Sequence, residues 1–177
     1  MQLDFRANIC PATRTIQVPT FIRSVTAQDL PELLQLLRGK AEFDGNLPAL
    51  KATTETLGAA LFGATPLTFA LVAISGDSLV GMAIYHPIFS SFLVRPGLWL
   101  DDLFVYQQHR GLGIGKDLLV RLCQIADAQG CARVDWLVSK NNARGISFYQ
   151  GIGGTVSELG RLVRLNETAL ANLANGA

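Results

Sequence analysis

The sequence predicts an α/β fold in one domain, with strands and helices mixed along the chain. Three observations predict it. The apolar period switches between about 3.6 and 2 residues along the chain, marking helices and strands in mixed order. A length of 177 residues suits one domain with a sizeable core. No stretch rich in Pro, Gly or Ser divides the chain, and no internal repeat is visible.

Residues 1–18 carry no clear period and include Pro11, so they are expected to form a loosely ordered arm, with the domain proper over 19–177. A first strand is expected near Phe21–Val25. Thr26 and Asp29 then form a T-x-x-D capping signal. Leu30, Leu33, Leu34 and Leu37 follow at three- and four-residue steps, one face of a helix running to about Phe43. Asp44-Gly45-Asn46 and Pro48 stop it. A shorter helix is expected over Thr54–Phe62, ended by Gly63.

TFALVAI and SLVGMAIYH, joined at Gly76-Asp77, predict an antiparallel hairpin that Pro87 ends. Gly97–Val105 predicts another strand. From Gly113 to Gln129 the helical period returns, with Ile114, Leu118, Leu119, Leu122, Ile125 and Ala126 on one side and Cys123 expected to fill core beside them. ARVDWLVS predicts a strand, residues 143–150 a short helix and RLVRL a last strand.

Composition excludes several classes. Hydrophobic residues make up 49% and charged residues 16%, too apolar a balance for a disordered chain. A net charge of +1 gives no general grip on nucleic acid or anionic lipid, so neither partner is expected. No apolar run approaches the ~20 residues of a membrane span, and MQLDFRANICPATR has no apolar signal region, so a cytoplasmic location is expected. The three cysteines have no metal spacing; reduced thiols and no metal are expected.

The most informative segment is Arg110-Gly111-Leu112-Gly113-Ile114-Gly115-Lys116, between a predicted strand and an amphipathic helix. Glycines at alternate positions free backbone N–H groups to surround an anion, and the helix start adds roughly +0.5 of a charge. A phosphate or pyrophosphate is the natural occupant. A Walker loop is excluded because Arg110 stands where its first Gly belongs and Asp117 where its Ser or Thr belongs; the G-x-G-x-x-G dinucleotide spacing is absent too. The pattern is Arg-x-x-Gly-x-Gly after a strand ending in Val105. After the ARVDWLV strand comes Asn142-x-x-Gly145-x-x-Phe148-Tyr149.

This ordered pair of motifs resembles the GCN5-related N-acetyltransferases (GNAT), over roughly Phe21 to Ala174. LWLDDLFV, RGLGIG, Cys131-x-Arg133 and ISFY are most similar to the branch of diamine (spermidine/spermine) and thialysine acetyltransferases. Gln107 replaces a common Pro, Gly145 replaces Ala or Ser, and Gly151, Gly153 and Gly154 replace a more apolar ending. The resemblance implies a single domain with a mixed, mostly antiparallel central sheet flanked by helices on both faces, and acetyl-CoA as co-substrate. Its contacts would be Leu103, Phe104 and Val105 at the strand end, the loop residues Arg110, Gly111, Leu112, Gly113, Ile114, Gly115 and Lys116, and Asn142, Gly145 and Tyr149. Backbone at Leu103 would stabilise the oxyanion, and Tyr149 would be the general acid.

For the acceptor, two carboxylates in an apolar strand, Asp101 and Asp102, are costly unless partnered. Alternation sends only one of them into a given cleft unless a bulge intervenes, and the branch has an acid at the Asp101 position. Asp101 is therefore the expected catalytic carboxylate and amine contact. Phe43, Asp44 and Glu158 match other acceptor contacts, with Phe replacing Tyr. Trp136 either enters the core or lines the acceptor cleft. His86 and His109 are expected to serve surface or hydrogen-bonding roles.

The implied function is direct acetyl transfer to a primary amine of a small molecule, a diamine, polyamine or thialysine-like amino acid first, in a homodimer. A non-catalytic acyl-CoA sensor or partner module, or an acetyltransferase for protein amines, are the alternatives.

Overall fold

The computed structural model describes residues 19–158, 160 and 162–175. The expected arm over 1–18 lies outside the described residues, as does Cys10. The chain divides into two compact units, the first ending at Trp136 and the second beginning at Leu137.

The first unit holds a five-stranded sheet in sequential order: β1 (Thr20–Ser24), β2 (Phe69–Ser75), β3 (Ser78–Ser90), β4 (Arg95–Val105) and β5 (Val134–Trp136). Neighbours pair antiparallel except β4 and β5, which run parallel. Helices α1 (Leu30–Phe43) and α2 (Thr54–Phe62) supply Leu33, Leu36, Leu37 and Leu61 to a core with Val72, Met82, Ile84 and Phe104. Helix α3 (Ile114–Ala128) contacts the sheet through a stripe of Ile114, Leu118, Leu119, Leu122 and Ala126. Alternation along β2 and β3 makes both faces apolar, because Leu71, Val72, Ala73, Met82 and Ala83 are all buried.

The start of α1 shows how local sequence sets an element. Asp29 accepts from the Thr26 N–H (2.7 Å) and Oγ1 (2.8 Å), closing the capping box around one 3-10 turn at Ala27–Asp29. The Arg23 guanidinium from β1 donates to both of its oxygens, at 2.6 and 2.9 Å. That pair, with the Thr26 donors, holds the Asp29 carboxyl well below the usual carboxylate range. A depressed carboxylate stabilises the fold above its unfolded pKa of about 4, and the contribution fades as pH falls through the acid range. Asp29→Ala is expected to cost about 2–3 kcal/mol at pH 7, from a lost cap and a lost two-oxygen pairing with Arg23, and progressively less below pH ~4. Urea denaturation at pH 7 and pH 3 checks it; an equal loss at both would contradict the ionic account.

Four expectations about elements are corrected. Pro87 does not end β3, which runs to Ser90 and pairs with β4 as far as Ser90↔Arg95. Pairing with β2 stops at Tyr85, so Pro87 lies where β3 has only one neighbour and its missing N–H is tolerated. The ARVDWLVS strand is only Val134–Trp136, since its pairing with β4 ends at Leu100↔Trp136. Cys123 is exposed at the border of the α3 stripe rather than filling core. Residues 162–165 form no strand, and Arg161 lies outside the described residues. They lead instead into helix α5 (Glu167–Ala174), N-capped by Asn166, which accepts from the Ala169 N–H at 2.9 Å. In the second unit α5 follows α4 (Ala143–Gly151). No helix among the described residues is long and apolar enough to cross a membrane.

Candidate active site

The glycine loop lies where the sequence puts it, between β4 and α3. One 3-10 turn at Gln107–His109 carries the chain out of the strand. Gly111 and Gly113 then take left-handed φ values of +83° and +87°, which side-chain-bearing residues rarely adopt. Gly113 is the N-cap of α3 and has no side chain to cap it. The first-turn N–H groups of Ile114, Gly115 and Lys116 precede any intrahelical acceptor, which leaves them able to donate to an anion. Gly115 has ordinary helical geometry, and a Cβ there would meet only Val105 Cγ2, at 4.0 Å. Nothing among the described residues requires a glycine at that position.

The second part of the site is the outer edge of β4. The Tyr106 N–H donates to Val80 O at 3.0 Å. Ladder alternation therefore aims the N–H and C=O of Phe104 and Asp102 at β3, and those of Leu103 and Val105 away from it. Strand β5 covers that outer side only at Leu98–Leu100. From Asp101 onward the edge has no strand partner among the described residues, so the Leu103 and Val105 backbone groups can serve an extended ligand. The Val105 C=O already accepts from Arg110 Nε at 2.8 Å.

A bulge marks the point where β5 stops. Ile84 pairs with Asp102 and Tyr85 with Leu100, leaving Asp101 as the extra, unpaired residue of β4. Asp101 is exposed and Asp102 half-buried on the α1 side. Lys40 of α1 bridges two acids, with Nζ in a short contact to Asp44 Oδ2 and at 3.3 Å from Asp102 Oδ1. Burial pushes the Asp102 carboxyl above its ordinary range; Lys40 pulls it back, while Asp101 and Asp44 push it further up. For Lys40, burial opposes the charge, but the two acids prevail and hold the ammonium more firmly protonated than usual. Sequence reasoning singled out Asp44 and Asp101 and missed Lys40. The signal was there, since Lys40 and Asp44 are spaced i,i+4 at the end of α1.

The remaining candidates divide between the two units. Phe43 is 57% exposed, and the Arg110 guanidinium carbon stands 4.5 Å from its ring centre. Trp136, half-buried, ends β5 opposite Leu100, which leaves both of its sequence readings open. In the second unit Asn142 Oδ1 accepts from the Gly145 N–H at 2.9 Å and N-caps α4. A Cβ on residue 145 would stand 2.6 Å from Asn142 Nδ2, so a larger residue there requires the Asn142 side chain to shift. Tyr149 lies half-buried on α4 beside Phe148, ring centres 5.2 Å apart, and Glu158 is exposed beyond the helix.

The comparisons with known proteins agree with this geometry. The model of the Acetyltransferase (GNAT) family matches residues 30–153. A human spermidine/spermine N(1)-acetyltransferase-like protein 1 is 35% identical over 163 residues, 86% of this chain, although the chain spans only 23% of that protein. The mouse thialysine N-epsilon-acetyltransferase is 29% identical over 166 residues, covering 88% of this chain and 97% of its own. An integron cassette protein from the V. cholerae mobile metagenome has the same fold, with a TM-score of 0.72 at 25% identity over 88% of this chain and 97% of that one. The glycine turn, the bulged strand and the open edge all fall inside the matched span, and the chain therefore belongs to the GNAT family of acetyl-CoA-dependent acyltransferases.

Proposed function

We propose that this protein transfers an acetyl group from acetyl-CoA to a primary amine of a small cationic acceptor, a diamine, polyamine or thialysine-like amino acid. The observation that carries the acceptor reading is the acid cluster at the bulge. Lys40 pairs with Asp44 and Asp102, and the exposed Asp101 adds its charge beside Asp102, an excess of negative charge over the Lys40 ammonium that suits an acceptor with more than one amine.

The residues present fit the co-substrate. The glycine turn, with the Ile114, Gly115 and Lys116 N–H groups and the Lys116 charge, would hold the pyrophosphate. The outward backbone of Leu103 and Val105 would hold the extended arm. Acetyl-CoA supplies a thioester, an acyl group activated toward amines.

An alkylamine with pKa near ~10.4 is neutral in only about one molecule in 2,500 at pH 7, so its proton must be taken. Asp101, unpaired on the bulge, accepts that proton directly or through water while its charge holds the ammonium. The Leu103 N–H donates to the developing oxyanion. The Tyr149 Oη donates a proton to the departing sulfur, which a phenol of pKa ~10 does without a large shift. Direct attack needs no covalent enzyme intermediate.

Charge discrimination tests the acceptor reading. Putrescine is expected to show a kcat/KM at least about tenfold above butylamine, a margin that Asp44→Asn and Asp101→Asn each narrow and that rising salt erodes. Equal rates for the two amines, unaffected by either substitution, would remove the diamine reading. A peptide amine acetylated in preference to both would favour the protein-acceptor alternative.

A further inference from the structure

The fold accounts for Asp101 and Leu103 but leaves one arrangement unexplained. Phe43 is a large aromatic at the exposed end of α1, outside the core cluster, yet one side of its ring is covered by a cation from the glycine loop. We propose that Phe43 is a positioning residue for that loop: its ring holds the Arg110 guanidinium as a structural pin, so that the end of α1 sets the turn that receives CoA. The proposal rests on the reading of that turn as the pyrophosphate site.

Arg110 is held from three sides. Its Nε donates to the Val105 C=O at 2.8 Å, tying the loop back to the end of β4. Its backbone N–H donates to Gln107 O at 3.2 Å, closing the 3-10 turn. Its guanidinium lies over two rings, 4.5 Å from the centre of Phe43 and 5.5 Å from that of Phe104. Phe104 is itself fixed, buried and edge-on to Tyr106 at 5.5 Å. Gly39 of α1 sits so close that a Cβ there would approach the Phe104 ring to 3.1 Å. Of the two rings, Phe43 is thus the one whose position depends on the end of α1.

The residue after Arg110 is Gly111, at φ +83°. The direction in which the pinned residue hands the chain to that glycine decides where the following N–H groups point. The arrangement also suits Arg and not Lys, because only a planar guanidinium combines an in-line Nε donor with stacking on an aromatic face. Arg110 then acts mainly through the backbone it holds rather than as a mobile charge on the phosphates.

Three variants test this: Phe43→Leu, which keeps an apolar side chain but removes the π face, Phe43→Tyr, which keeps the face, and Arg110→Lys, which keeps the charge. In the free protein, amide hydrogen exchange over 106–113 is expected to rise severalfold in F43L and R110K and to stay at the wild-type level in F43Y. By calorimetry the CoA Kd is expected to rise about three- to tenfold in F43L and R110K and less than twofold in F43Y. The amine KM is expected to change less than twofold in F43L. F43L with wild-type exchange and wild-type CoA Kd would overturn the proposal, as would a rise in amine KM alone, which returns Phe43 to the acceptor side. R110K with wild-type exchange would equally overturn the pin. If the unmodified protein does not bind CoA, the reading of the turn fails, and the exchange comparison still decides whether Phe43 orders the loop.

Discussion

Tyr149→Phe is expected to lower kcat for amine acetylation about 10²–10³-fold while leaving the Kd for CoA within about twofold of wild type. The substitution removes one oxygen from a half-buried ring whose neighbour, Phe148, packs against it regardless of the hydroxyl. What the substitution takes away is the proton for the leaving sulfur, because a thiolate expelled without an acid must leave as the anion. The loss is also expected to shrink for an acyl donor whose thiol is more acidic, since such a leaving group needs less help. Steady-state kinetics with calorimetric CoA binding checks it. An unchanged kcat would remove Tyr149 from the acid role, and a rise in CoA Kd matching the loss of rate would make it a binding residue.

Gly113→Val carries the second large expected effect. At φ +87° and ψ −10°, Gly113 caps α3 in the left-handed region, and a β-branched residue there is strained by roughly 1–3 kcal/mol. No atom within 4 Å would obstruct the new Cβ, so the penalty is conformational and not steric. The chain relieves it by turning residue 113 back to negative φ, which swings the N–H groups of the turn away from a common centre. CoA Kd is expected to rise about 30- to 100-fold, with a Tm lower by several degrees. Gly115→Ala is the informative control. Its Cβ meets nothing among the described residues closer than 4.0 Å, so Tm is expected to hold, and any loss of CoA affinity in that variant reads how near the ligand comes to α3. A Gly113→Val protein that binds CoA as wild type does would contradict the anion-turn assignment.

Most of the fold was legible because its elements carry local signals strong enough to stand alone. The Thr26–Asp29 box, the leucine steps of α1, Gly63 after α2 and the turn at Gly76 place their elements with little help from tertiary contacts. What sequence reasoning missed depends on partners distant in the chain. Pro87 continues in β3 only because β2 has already ended beside it. The β5 strand is short because its neighbour bulges at Asp101, and no pattern within ARVDWLVS reports that. RLVRL alternates like a strand, but residues 162–165 find no pairing partner, whereas the Asn166 cap that starts α5 was a readable signal passed over.

The candidate site shows the same division. The glycine turn is a local device, and its left-handed positions fall where the spacing requires them. The rule that only one of Asp101 and Asp102 enters a given cleft holds for a regular strand, and only the β3–β4 register shows that the strand bulges there, with Asp101 as the extra residue. Lys40 was overlooked because its partner Asp102 is remote in sequence and reaches it only across the packing of α1 on β4. The Asn142 cap on α4 is local as well, its Oδ1 accepting from the Gly145 N–H three residues on.

The central claim is acetyl transfer to a small multiply charged amine, and product identification tests it most directly. The protein would be incubated with acetyl-CoA and, separately, putrescine, spermidine, spermine, thialysine, lysine, an aminoglycoside and a peptide, with free thiol followed and products identified by mass spectrometry. The account predicts a monoacetylated diamine, polyamine or thialysine, formed with one thiol released per acetyl group transferred and lost in Tyr149→Phe. Tight binding of acetyl-CoA with no acetylated amine anywhere in the panel would contradict it, and would make the protein an acyl-CoA sensor built on an acetyltransferase fold.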